Sequence, residues 1–331
     1  MLTLVVCLGA CGSDEPHAPT SCNGSDAACQ KPLNEVVFPA THNSYAASDE
    51  PGWHFANQRY GVARQLADGI RALLIDVHFG VQDPVRGIVR TDLRAEGADR
   101  NKVAQQIGPR ALRAGDRIAG RVGVRSLHGT SKPYLCHTLC ELGAEPLDQE
   151  LGAIRRFMDR HPDQVLVLIV EDYVPPPVIE KAFERTGLLS QAATLKPRAP
   201  LPTLGKLIER GTRLVVFAEE KGGSPPWYMP AFSYIQDTPL GARRPSSLSC
   251  ARFRGNPGNA VLKLNHWLDT FPPSRTAERA IGRPRALRRR IAKCTRERGR
   301  APGIVAVDFY DQTAVVQVAR ALNAQHRETG R

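Results

Sequence analysis

From Glu35 onward the chain alternates short apolar runs with amphipathic segments, a rhythm that restricts it to a parallel sheet crossed by helices. Two runs, Ile70 to Val77 and Gln164 to Val170, are apolar almost without interruption, as strands are when helices cover both faces. Shorter runs at Val36–Phe38, Pro133–His137, Arg213–Ala218, Ala260–His266 and Ile304–Phe309 read as further strands. Helices are predicted over Gln58–Gly69, Thr203–Gly211, Arg275–Arg300 and Gln312–Leu322, and where Leu147, Leu151, Ile154, Phe157 and Met158 share one face. With about seven or eight strands, nearly all followed by helix or loop, and no internal repeat, the expectation is α/β, a single (β/α) barrel.

In such a barrel the chemistry sits at the carboxyl ends of the strands. Five apolar runs here end in a residue able to do chemistry: His42, Asp76, His137, Glu171 and Asp308. Alone, His42 reads equally well as a loop cap; the company of the other four favours a site. Asp76 lies inside the end of its strand, where a carboxylate is costly unless paired. The chain has no Gly-x-Ser-x-Gly elbow. Two histidines without a serine or cysteine nucleophile suit acid–base chemistry on a phosphodiester whose own neighbouring hydroxyl attacks phosphorus.

The formal charge is +12, from 45 Lys and Arg against 33 Asp and Glu, which attracts anionic partners without identifying them. No nucleic-acid motif accompanies the charge, and an arginine-rich excess of this kind also reads as plain solvated surface. Arg86 to Arg125 carries ten basic residues against four acids. It reads as an inserted excursion without a strong strand, with a short helix near Asn101 to Leu112, and as a solvated segment or a basic rim over an anionic substrate. Trp227, Tyr228 and Trp267 lie in or beside loops, for packing or for a bilayer interface.

Residues 1–11 are apolar and end in Leu-Gly-Ala-Cys, resembling a lipoprotein signal with Cys11 as the lipidated residue. A polar stretch follows, read as a tether over 12–33, with the barrel at 34–325. Export is thus expected, to the outside or to the outer face of a bacterial membrane. Without Cys7 and Cys11 six cysteines remain, most simply paired in sequence order as Cys22–Cys29, Cys136–Cys140 and Cys250–Cys294, an order that six cysteines alone do not impose. The Cys136–Cys140 loop would hold His137 in place.

The motifs Thr41-His42-Asn43-Ser44-Tyr45, Gly69-Ile70-Arg71 through Leu74-Ile75-Asp76-Val77, Leu135-Cys136-His137, Val167 through Glu171-Asp172-Tyr173, Asn265-His266-Trp267 and Val305-Ala306-Val307-Asp308-Phe309-Tyr310 together resemble the phosphatidylinositol-specific phospholipase C X-domain family. The resemblance is to its secreted branch from bacteria, fungi and plants, and it runs from about Asn34 to Asn323. It implies a distorted TIM barrel, a phospholipid at a membrane surface as partner of a monomer, and cleavage of phosphatidylinositol or a related phospholipid through a cyclic phosphate, with His42 as general base, His137 as general acid and Asp308 orienting His42. Arg71, His78, Tyr173 and His266, in or beside the same motifs, are candidate substrate-binding residues. Asn43, Asp76 and Glu171 match the calcium-dependent pattern, but Leu74 stands where that pattern has Glu. A weakly bound Ca²⁺ or Mg²⁺ is therefore expected, or else His78 and nearby arginines in its place. Thr138 replaces the glycine common after the second histidine. A glycerophosphodiesterase-like or sphingomyelinase-like activity, or a non-catalytic barrel that binds anionic glycolipid, is the alternative.

Overall fold

The structure, a computed structural model, describes residues 19–121 and 129–325. Eleven strands form one sheet: β1 (Phe38–Thr41), β2 (Ala72–Gln82), β3 (Val89–Thr91), β4 (Lys132–Leu135), β5 (Glu145–Pro146), β6 (Leu166–Asp172), β7 (Leu214–Ala218), β8 (Tyr228–Pro230), β9 (Ile235–Asp237), β10 (Val261–Asn265) and β11 (Ile304–Val307). Eight of them run parallel in the order β8-β7-β6-β2-β1-β11-β10-β9. The ends of this order, β8 and β9, are joined by no ladder among the described residues. The result is a distorted TIM-type barrel with one open seam, wrapped by helices.

The helices are α1 (Asp26–Cys29), α2 (Val62–Asp68), α3 (Arg100–Ile107), α4 (Pro109–Arg121), α5 (Leu147–Arg160), α6 (Pro176–Thr186), α7 (Leu204–Glu209), α8 (Arg275–Ile281), α9 (Pro284–Arg298) and α10 (Val315–Asn323). The expected single helix over Arg275–Arg300 is two, since Gly282 and Pro284 interrupt it. α2 and α10 begin later than predicted, at Val62 and Val315. Among the described residues no helix is long and apolar enough to cross a membrane.

Successive strand residues face opposite sides, and that parity sorts the core. On β2, Leu73, Ile75 and Val77 pack outward with the helices, while Ala72 and Leu74 pack inside the barrel. β6 repeats this, with Leu166, Leu168 and Val170 outward and Val167 and Ile169 inward. Carried one step further, the parity turns Asp76 and Glu171 inward. The same step places Glu219 after Phe217, Asp237 after Ile235, Lys263 after Val261, Asp308 after Ala306 and His42 after Ala40.

The excursion differs from expectation. β2 runs on to Gln82, and its distal half pairs antiparallel with β3 and β4, with β5 beyond. His137 thus follows a strand of this ribbon, outside the parallel staves. The insert also holds α3 and α4 instead of one short helix, and Arg94, Arg113, Arg117 and Arg121 on it are exposed.

Cys11 and the apolar start lie outside the described residues. Of the stretch expected to be a tether, residues from Cys22 on are docked against the barrel. Asn23 bonds reciprocally with the Val165 backbone, and Lys31 Nζ reaches the Asn323 carbonyl at 2.9 Å. Disulfides join Cys22–Cys29, Cys136–Cys140 and Cys250–Cys294.

Candidate active site

Parallel register brings the first pair together. Thr41 lies opposite Val307, so His42 and Asp308 leave adjacent strands side by side, with the His42 N–H donating to the Val307 carbonyl. His42 Nδ1 meets Asp308 Oδ1 at 2.9 Å, and Asn57 Nδ2 donates to Asp308 Oδ2 at 2.9 Å. The indole of Trp267 stacks on the imidazole at 4.1 Å, with 10° between the planes. Nδ1 is thereby held on the carboxylate, which leaves Nε2 on the other side of the ring.

The turn after β1 is closed by its own side chains. Thr41 Oγ1 and Ser44 Oγ lie 2.8 Å apart, and Asn43 adopts φ 44°, a left-handed conformation that asparagine tolerates. Asn43 Nδ2 reaches Asn57 Oδ1 and lies 3.3 Å from His137 Nδ1.

His137 forms the second pair. Its Nδ1 lies 3.1 Å from Asp76 Oδ2, while the ring is 56% exposed and open to an incoming group. Burial of the site alone would lower its pKa, but the hydrogen bond and charge of Asp76 outweigh that and raise it. Burial opposes ionisation of Asp76 too, yet its bond to His137 holds the carboxyl below the ordinary range. Thr138 has φ 63°, a strained region for a β-branched residue and one that glycine enters freely. The Cys136–Cys140 bridge and a bond from Thr91 Oγ1 to the Thr138 carbonyl fix this turn.

Asp76 and Glu171 are registered opposite each other on β2 and β6. Burial and then the nearby Asp76 push the Glu171 carboxyl up to about 7. The Tyr173 hydroxyl donates to it, and the Tyr173 ring stacks on His78 at 4.1 Å. Deeper in the barrel, Lys263 lies opposite Asp237 on adjacent strands and reaches Glu219 at 3.3 Å. Arg254 joins both carboxylates, at 2.7 Å to Glu219 and 2.6 Å to Asp237. One pocket is lined by His42, Asp76 and Glu171 together with Glu219, Arg254 and Lys263.

Not every candidate converges here. Arg71 precedes β2 at the opposite end of the barrel, where it donates to the Leu66 carbonyl of α2, to the Ile70 carbonyl beyond it and to Gln164 at 2.6 Å. His266 follows the outward-facing Leu264, with Nε2 near the Ile281 carbonyl; burial pushes its pKa down to about 4. Neither lines the pocket, since each falls on the wrong end or face of its strand. His78 is buried and spent on Glu96 at 3.0 Å, so it presents no open charge. Trp227 packs on Phe183 and Trp267 on His42, which leaves neither for a bilayer.

Sequence reasoning passed over Asn57, Glu96, Asp237, Arg254 and Lys263; Glu219, though it ends the strand read at Arg213–Ala218, has no role in it. Lys263 did carry a signal, a charge inside an apolar strand that cannot be buried unpaired; Asn57 and Arg254 sit in loops without one.

As a metal site the set Asn43, Asp76 and Glu171 fits poorly. The Asn43 side-chain oxygen accepts from the Tyr45 hydroxyl, and Asp76 is committed to His137. Leu74 fills the fourth place, and among the described residues no group of three or more His, Cys, Asp or Glu converges as a metal site.

Glu278 on α8 accepts from the Leu268 N–H at 2.7 Å and so ties down the loop that carries Trp267. Burial, then the charge of Asp308, pushes it from 4.5 up to about 9. The folded chain therefore holds a proton that the unfolded chain releases; this stabilisation is complete below pH 4.5 and is lost as pH rises through about 9. Glu278→Gln keeps the acceptor and removes the titration. Thermal unfolding of the variant should fall less between pH 5 and pH 9 than that of the wild type.

The fold and these contacts define an α/β barrel that carries two carboxylate-held histidines where strands end. The family model for PI-PLC X matches residues 120–323, a span that includes His137, Glu171 and Asp308 and begins after His42 and Asp76. The chain belongs to the PI-PLC X family. It is 26% identical over 230 residues to PI-PLC X domain-containing protein 1 of Arthroderma benhamiae, covering 61% of this chain and 74% of that one. It is 24% identical over 339 residues to an uncharacterized secreted protein of the same fungus, covering 93% of this chain and 65% of the relative. A solved phosphatidylinositol-specific phospholipase C of S. aureus shares the fold, with TM-score 0.53, 13% identity, and coverage of 92% of this chain and 98% of that one.

Proposed function

We propose that the protein is an exported phosphodiesterase that cleaves phosphatidylinositol or a related phospholipid by acid–base catalysis. The observation that carries this reading is one cleft lined by both His42 and His137, each held by its own carboxylate. His42 Nε2 takes the proton of a substrate hydroxyl adjacent to the phosphate. That oxygen attacks phosphorus, the P–O bond to the leaving alcohol breaks, and His137 delivers its proton to the departing oxygen. The products are a cyclic phosphate and a free alcohol. The raised pKa of His137 keeps it in the proton-donating form toward neutral pH. Lys263 and Arg254, balanced in charge by Glu219 and Asp237, give the pocket floor donors and acceptors suited to a polyhydroxyl headgroup. Three disulfides suit an oxidising compartment.

Incubating the protein with phosphatidylinositol, lysophospholipids and sphingomyelin, and following phosphorus NMR for a cyclic phosphate, tests this reading. Cyclic phosphate from phosphatidylinositol supports it; turnover of another lipid alone reassigns the substrate, and no turnover of any leaves a binding barrel. Given the poor metal fit, activity should persist in excess chelator. Activity that chelator abolishes and Ca²⁺ restores, and that Leu74→Glu strengthens, would instead place a weakly held ion between Asp76 and Glu171.

A further inference from the structure

Beyond His137 the cleft continues into a cavity of about 720 Å³, within the range of roughly 300–1,000 Å³ that accommodates a small-molecule ligand. The two spaces share Phe55, His137, Leu139, Leu142 and Phe271, so one opens into the other. The far wall belongs to the insert. It is made by small residues, Gly108 at the start of α4 and Ala114 and Gly115 on it. A Cβ at Gly115 would meet Leu139 Cδ1 at 2.4 Å, so the absence of a side chain there keeps Leu139 in place. Phe55 and Phe271 close the outer side with rings 4.5 Å apart, although Phe271 itself is 65% exposed.

We propose that this cavity binds the apolar chain of the leaving alcohol. The inference rests on the phosphodiesterase reading for its direction. The group that protonates the leaving oxygen must face it, so the departing half of the substrate lies on the His137 side, and the cavity opens there. Its occupant is an alkyl or acyl glycerol. The chain lies against Leu139, Leu142 and the two phenylalanines, and its oxygens lie near the polar Arg243, Asp269 and Thr270 of the same lining. The protein then draws one chain of its substrate out of the lipid phase, and it also acts on dispersed single-chain substrates.

The test uses the whole chain and monoalkyl glycerols from hexyl to dodecyl, kept below their micelle concentrations, with calorimetric titration as the readout. Affinity should rise by about fourfold per added methylene until the cavity is filled. Ala114→Trp, which fills it, and Phe271→Asp, at a surface position that tolerates charge, should each weaken dodecyl glycerol binding by about 10-fold or more; their unfolding curves establish that both fold. Inositol phosphate esters of the same alcohols should show kcat/KM rising with chain length in the wild type and flattening in both variants. Binding independent of chain length, or unchanged in both variants, overturns the proposal. Cleavage of the short glycerol ester without alkyl binding overturns the cavity's role alone. Alkyl binding without cleavage of any ester upholds the cavity and overturns the phosphodiesterase reading.

Discussion

His137→Ala is expected to lower turnover of phosphatidylinositol by roughly 100- to 10,000-fold, and His42→Ala by a similar factor, the usual worth of one positioned proton transfer. Neither loss should come from unfolding. His137 is more than half exposed, and removing His42 leaves Asp308 still bonded by Asn57. The two variants should separate when the leaving group is chemically activated. A nitrophenyl ester departs without a proton, so it should recover most of the rate in His137→Ala. His42→Ala should stay slow, because the attacking hydroxyl still needs a base. The alkaline limb of the rate profile reports loss of the His137 proton, and Asp76→Asn should move that limb to lower pH by removing the carboxylate that raises His137. Wild-type rates in both alanine variants, with folded protein, would remove the histidines from the mechanism. A rescue pattern with the roles exchanged would swap acid and base.

Asp237→Ala should destabilise the fold by about 3–5 kcal/mol, as expected when one partner of a buried ion network is removed. Asp237 is fully buried and accepts from the Arg254 backbone N–H and guanidinium, with Lys263 Nζ at 3.5 Å. Truncation leaves the Lys263 ammonium, itself 2% exposed, with Glu219 as its remaining carboxylate, which it shares with Arg254. Adding Lys263→Met should recover part of the loss, because the uncompensated charge leaves with the lysine. Urea unfolding of the wild type, both single variants and the double variant measures the coupling. Strict additivity would mean that the two groups do not act as a pair. Because the network also floors the pocket, the double variant should regain stability without regaining headgroup recognition.

The barrel and four of its candidate site residues were legible in the sequence, for a local reason. A strand buried on both faces must be apolar along its length, so a polar residue at its end stands out. His42, Asp76, Glu171 and Asp308 were legible in that way, and strand parity then turns each of them inward. Arg71 and His266 came instead from motif resemblance and lie away from the pocket, because a motif places a residue in a segment without giving the end or face of the strand it occupies. The pairings between the site residues come from folding alone. His42 meets Asp308 across a sequence separation of 266 residues, and His137 meets Asp76 across 61. Asn57, Arg254 and Trp267 reach the site from loops, whose course depends on what they pack against. The cavity behind His137 was likewise illegible, since its walls come from the insert and from residues 269–271, segments with no common periodicity that only folding brings face to face.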